Sequence, residues 1–181
     1  MKTLLNNCNH FLRVNTSSFI LPVMLKKTIL LFLLPCAVYA QDYNKLHQKA
    51  ILVDSHNDIL TASLEKKVSM DNDLKGRTHS DLKRFKEGGG DVKLFSVWCD
   101  GNKVNPYAWA NREMDTLYAV AERIPDKIVI TKTWKQFERA IKDKKLTAMC
   151  GVEGGHMEED NPHHLGRLYD WCPRNMPITL T

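Results

Sequence analysis

The chain lacks the motifs that mark several large enzyme classes. It has no Gly-x-Ser-x-Gly elbow, no phosphate-binding glycine loop and no His-Glu-x-x-His helix, so serine hydrolase and nucleotide-binding readings lose their usual support. Cysteine is sparse, and no pair is spaced Cys-x-x-Cys, which excludes a thioredoxin motif and a zinc ribbon. The apolar run Thr28–Leu34 is too short to span a membrane. No repeat or low-complexity tract follows residue 40.

An excess of one charge is also missing from most of the chain. The formal charge is +5, from 26 basic and 21 acidic residues. Four of the basic residues, Lys2, Arg13, Lys26 and Lys27, fall in the first 40 positions, where there is no acid. The remainder carries 22 against 21, or +1, which offers nothing to nucleic acid or an anionic membrane surface.

What is present at the N-terminus is a targeting pattern. Met24-Leu25-Lys26-Lys27, the apolar run after it and Val38-Tyr39-Ala40 have the three-part layout of a signal peptide, with cleavage expected after Ala40. Residues 1–23 then read as an upstream extension and Met24 as the true start. This implies export: a periplasmic, secreted or membrane-associated protein. Cys36 invites comparison with a lipoprotein cleavage box, but Pro35 before it fits poorly. Of the cysteines after residue 40, Cys150 sits in an apolar run and is expected to be a buried free thiol.

From Gln41 onward short apolar runs alternate with amphipathic segments. Ile51–Val53, Val92–Val97, Ile128–Ile130, Leu146–Val152 and Ile178–Leu180 read as strands. Ala110, Met114, Leu117, Ala121 and Ile124 share one face of a helix closed by Pro125. Thr133 caps a helix with Trp134, Phe137, Ala140 and Ile141 inward. Asn161-Pro162 starts another, with Leu165, Leu168 and Tyr169 inward. Asp81–Lys86 reads as a short helix ended by Gly88-Gly89-Gly90. Such alternation implies parallel βα units, in a doubly wound sheet or a βα barrel. A closed barrel takes typically about 250 residues, whereas residues 41–181 suffice for about four units.

Two segments carry the chemistry. Asp54-Ser55-His56-Asn57-Asp58 follows the first apolar run, and Gly151-Val152-Glu153-Gly154-Gly155-His156 follows the fourth. Each puts ligand-type side chains at the exit of a strand, where α/β folds place reacting groups. In an extended segment residues i and i+2 share a side, so His56 and Asp58 can converge on one cation. Glu153 ends a buried run, where a carboxylate is costly unless paired or metal-bound, and can bridge two cations. Plainer readings stand beside these: Asn57 or Asp58 as a helix cap with His56 in a turn, and Glu153 as a solvated strand end. His156 reads as an outer partner of a metal ligand or as a turn residue; Trp98, Cys99 and Asp100 line a pocket or simply pack.

Taken in order with Thr78-His79-Ser80-Asp81-Leu82, Gly88-Gly89-Gly90 and Leu94-Phe95-Ser96-Val97-Trp98, these segments resemble the membrane dipeptidase family. The resemblance implies the N-terminal portion of a metal-dependent hydrolase (β/α)8 barrel, binding two zinc ions and hydrolysing dipeptides, with β-lactams as a further substrate in some members. It implies that His56 and Asp58 hold the first zinc and that Glu153, the catalytic carboxylate, bridges both. Homodimerisation and membrane anchoring stay open for a full-length form. In the family, Thr-Leu-Thr (here Thr179-Leu180-Thr181) is followed by a substrate-contacting histidine and later by two histidines of the second zinc. The segment Trp171-Cys172-Pro173-Arg174-Asn175 departs from the family pattern. The expectation is therefore an inactive, truncated dipeptidase; the alternatives are a two-metal amidohydrolase acting on cyclic amides or lactones, and a non-catalytic product.

Overall fold

Four runs of apolar and β-branched residues pair side by side in the computed structural model, which describes residues 43–171. They are β1 (Leu52–Asn57), β2 (Gly90–Val97), β3 (Ile128–Ile130) and β4 (Leu146–Val152), all parallel, in the order β1-β2-β4-β3. The helices are α1 (Ile59–Lys66), α2 (Leu82–Glu87), α3 (Pro106–Arg123), α4 (Trp134–Lys142) and α5 (Pro162–Trp171), with a 3₁₀ turn over Gly155–Glu158. The architecture is α/β, as the alternation implied. By contact the chain divides into two units, Met1–Leu46 and His47–Thr181, and all the labelled elements belong to the second. The upstream extension, the signal sequence and the expected strand at Ile178–Leu180 lie outside the described residues.

The third strand lies beyond the fourth, so β2 and β4 are neighbours over six aligned pairs from Val92↔Thr147 to Val97↔Val152. Parallel strands cannot be joined by a tight turn, and the amphipathic helices supply the crossovers. They also cover one face of the sheet. Phe95, Val97, Ala148 and Val152 pack there with Leu60, Met114, Leu117 and Met157 in a single core. The opposite face carries Leu94, Met149 and Glu153, each half-buried.

The first strand is longer than its apolar residues predict. It runs past Val53 through Asn57 because the polar segment keeps pairing with β2, Asp54 with Lys93 and Asn57 with Phe95, while its start is held by Asp91, whose Oδ2 accepts from the Leu52 amide at 3.1 Å. Helix α1 follows directly, its first amide satisfied by Asn57, whose Oδ1 accepts from the Ile59 N–H at 3.2 Å.

The expected caps are present. Thr133 and Gln136 form a reciprocal capping box on α4, and Asn161 Oδ1 accepts from the His163 N–H at 3.0 Å to start α5. The expected inner faces need correction. Trp134 is 69 % exposed and stacks on Phe137, while Leu165 and Tyr169 are exposed and Leu168 alone of its trio is buried. Helix α4 packs on β4 through Ala140, and α5 packs on α3 and the 3₁₀ turn through Leu168, so one buried row suffices for each. Cys150 also departs from expectation: it is disulfide-bonded, whereas Cys99 is a buried free thiol.

Asp81 holds the entry to α2 more firmly than a surface cap would. Its side chain is buried and accepts from the Arg84 amide at 2.8 Å, the Leu74 amide at 3.1 Å and Arg84 Nε at 2.6 Å. Burial raises its pKa, but these donors overcome that and hold it below the usual carboxylate range. Asp81→Ala loses the cap and leaves the buried Leu74 amide unpaired, an expected cost of about 2 to 3 kcal/mol. Urea unfolding at neutral pH would show this as a fall in midpoint at constant slope.

Candidate metal centre

The sheet brings both ligand-bearing segments to the C-terminal ends of its strands. β1 ends at Asn57 and delivers His56, while Asp58 occupies the position before α1. Its backbone is at φ −90°, ψ 24°, outside the strand, and its carboxylate makes no capping bond. The expected i, i+2 convergence along an extended strand is therefore not how these two meet. Asp58 turns with the helix entry while Asn57 takes the capping role, leaving the Asp58 carboxylate free to face His56.

Glu153 arrives from β4, one residue past the strand end. Its amide donates to the Val97 carbonyl at 3.0 Å, and the Ser96 hydroxyl donates to its Oε2 at 3.0 Å. Two bonds from β2 thus fix both its backbone and its rotamer. Gly154 follows at φ +94°, a conformation that an L side chain rarely adopts. A Cβ on Gly154 would also lie 2.6 Å from His156 Nδ1.

The three side chains converge. His56 Nε2 lies 3.2 Å from Asp58 Oδ1 and 3.3 Å from Glu153 Oε2, and one donor atom from each residue falls within 4.8 Å of the others. Nitrogen and oxygen ligands about 2.1 Å from a tetrahedral zinc ion sit about 3.4 Å from each other. The observed separations match that spacing, and the donor set of one imidazole and two carboxylates suits zinc. Half-exposed His56 and Asp58 leave the cluster open on one side, as a site that admits a substrate must be.

Other candidate residues take different places. His156 lies beside the cluster but bonds elsewhere, its Nε2 donating to the Cys99 carbonyl at 3.0 Å. It holds the loop after β2 to the turn after β4. Cys99 is buried, and desolvation, with Glu113 adding to it, pushes its thiol up to about 11, so it stays protonated. Trp98 is partly exposed at the end of β2. A cavity of about 560 Å³ opens over Leu82, Ile128 and Leu146 at the other end of the strands; it shares no residue with the cluster.

The sequence reading missed two residues that support the site. Lys93 is fully buried in β2, with Nζ 3.3 Å from Asp54 Oδ2 and 4.1 Å from the centre of the Phe85 ring. Burial lowers its pKa, and Asp54 opposes that. Glu113 is fully buried on α3, accepting from Thr61 Oγ1 at 2.7 Å and from the Trp98 amide at 2.7 Å. Each had a signal: a lysine within an otherwise apolar strand run, and an acid three residues from Ala110 and four from Leu117 on the apolar helix face.

Comparison with known proteins gives this geometry a context. A profile of the membrane dipeptidase family, peptidase family M19, matches residues 40–181. The chain belongs to the membrane dipeptidase family. Solved structures with the same fold include a dipeptidase AC, described as a metallopeptidase of family M19, at 19% identity and TM-score 0.59; 71% of this chain and 42% of that one are covered. A probable dipeptidase PvdM from Pseudomonas aeruginosa matches at 15% identity and TM-score 0.65, covering 78% of this chain and 37% of that one. A metallopeptidase from Rhodobacter sphaeroides, liganded with a phosphinate mimic of the dipeptide L-Ala-D-Ala, matches at 16% identity and TM-score 0.58, with 71% and 45% covered. The chain thus spans less than half the length of these dipeptidases, and its four parallel strands correspond to part of their TIM barrel.

Proposed function

We propose that this chain supplies the first-zinc ligands and the bridging carboxylate of an exported, zinc-dependent dipeptidase. The observation that carries the reading is the convergence of His56, Asp58 and Glu153 at zinc-ligand spacing in a chain of this family. Zinc held there would polarise a peptide carbonyl and acidify a water. The chain's own contribution is geometric. Ser96 fixes the Glu153 carboxylate, the Val97 carbonyl fixes its backbone, and Asn57 releases Asp58 from capping.

Dipeptides as the proposed substrate class are supported by the family and by the Rhodobacter sphaeroides structure with its dipeptide mimic. Export is supported by the basic-apolar-small layout before Gln41 and by the disulfide at Cys150, which suits an oxidising compartment. Among the described residues there is one three-ligand cluster, so the expected stoichiometry is one zinc per chain. Two-zinc hydrolysis needs ligands beyond these three. Zinc retained after dialysis, measured alongside assays on dipeptides and lactones, tests the proposal. One equivalent of zinc, lost in Glu153→Ala, with no dipeptide turnover is the expected result. No zinc retention would overturn the metal reading, dipeptide turnover abolished by Glu153→Ala would overturn the inactivity, and lactone turnover would favour the amidohydrolase alternative.

A further inference from the structure

The pairing of β1 with β2 is irregular at the point where the ligands are carried. Asp54 aligns with Lys93, but Asn57 aligns with Phe95, so three steps on β1 oppose two on β2. One extra residue is inserted in β1, and its effect on side-chain direction follows from the two-residue period of a strand.

In a regular strand Asp54 and His56 would share a face. That face is the one carrying Lys93 and Phe95, turned toward the helices, whereas Glu153 lies on the other, two residues past Gly151, which aligns with Ser96. With the insertion, Asp54 and Asn57 share the helix-facing side, and they are the two half-buried residues of the strand. His56 is turned to the Ser96 and Glu153 side. The bulge therefore decides whether the imidazole meets the carboxylate at all.

One carboxylate holds the bulge. Asp54 Oδ1 accepts from the His56 amide at 3.3 Å, and Asp54 Oδ2 accepts from Asn57 Nδ2 at 2.9 Å. The same Oδ2 lies 3.3 Å from Lys93 Nζ, a fully buried ammonium that, among the described residues, has no other anion at this distance and no fully formed hydrogen bond. Carrying a lysine into that position is costly for stability alone, since an apolar side chain of similar volume serves a core as well or better.

We infer that Lys93 and Asp54 are positioning residues, an ion pair that pins the β1 bulge and thereby aims His56 at Glu153. Neither touches the cation; both act through the backbone of the ligand segment. The inference rests on the metal-site reading above and deepens it.

The test uses the whole chain, the single variant Lys93→Met and the double variant Asp54→Leu/Lys93→Met, which removes both charges and leaves no buried ion unpaired. Two quantities are measured: amide hydrogen exchange at His56 and Asn57 relative to β2 and β4, and Co²⁺ binding with its visible absorption bands. Should the single variant fail to fold, the double variant decides. The expected result is a melting midpoint near wild type in the double variant, faster exchange confined to His56 and Asn57, Co²⁺ binding weakened roughly 10- to 100-fold, and altered bands. Unchanged exchange overturns the inference, as does unchanged Co²⁺ affinity with unchanged bands. If the wild-type chain binds no Co²⁺, the metal-site reading fails, and the bulge assignment stands or falls on the exchange rates.

Discussion

Replacing His56 with alanine is expected to abolish zinc binding at micromolar concentrations. The imidazole is the one ligand within reach of both carboxylates, 3.2 Å from Asp58 and 3.3 Å from Glu153. Without it, two carboxylates from separate segments remain, and one of them, Asp58, is solvent-exposed. Loss of an outer partner of a metal ligand costs roughly 10- to 100-fold in affinity, and loss of a ligand from a set of three should cost more. Ser96→Ala provides the scale. It removes the hydroxyl that donates to Glu153 Oε2, and a weakening of about tenfold is expected. Competition against a chromophoric chelator ranks the three proteins. A His56→Ala chain that holds zinc as tightly as Ser96→Ala would show that the histidine is not a ligand.

The second large effect lies in the pH dependence of stability. Burial pushes the Glu113 carboxyl up from about 4.5 to about 7, against the hydrogen bonds from Thr61 and the Trp98 amide, which act to lower it. Between those two values the folded state keeps a proton that the unfolded chain has released. Stability therefore falls as pH rises from about 4.5 to 7 and is level beyond, a change of about 3 kcal/mol from this group. Asp71 and Asp81 act in a different window and with the opposite sign. The Arg123 hydrogen bond holds Asp71 down at about 2, and Asp81 is lowered too, so their contribution is lost only as the medium becomes strongly acid.

Glu113→Gln separates these contributions. An amide at this position can accept from the Trp98 N–H and donate to Thr61 Oγ1, whose own proton then serves the Trp98 carbonyl, already 3.2 Å away. The variant is expected to match wild type near pH 4 and to be more stable by about 3 kcal/mol at pH 8. Urea unfolding of the metal-free proteins across this range gives the comparison. Parallel profiles for the two would mean that Glu113 is ionised throughout.

Much of the local structure was written in residue types. Thr133 with Gln136, Asn161 with Pro162 and Asp81 before Leu82 each start a helix where expected, because capping is settled within four residues of chain. Pro125 stops α3 at Ile124 for an equally local reason. Inner faces were less legible. Periodicity shows that Trp134, Leu165 and Tyr169 lie on apolar rows, but not how much of each row the neighbouring elements cover.

The sequence by itself determined the chemistry available: which residues can bind a metal, that they leave parallel strands at one end, and which caps frame them. Tertiary structure decided how they meet. The placement of β4 beside β2 brings Glu153 to Ser96, and the extra residue in β1 turns His56 toward it. Strand alternation read from one chain assigns His56 to the wrong side, because a bulge is a property of two strands in register and is absent from either alone. Lys93 and Glu113 make the same point: a charge in an apolar run is visible in the sequence, but the partner that justifies its burial is set by packing.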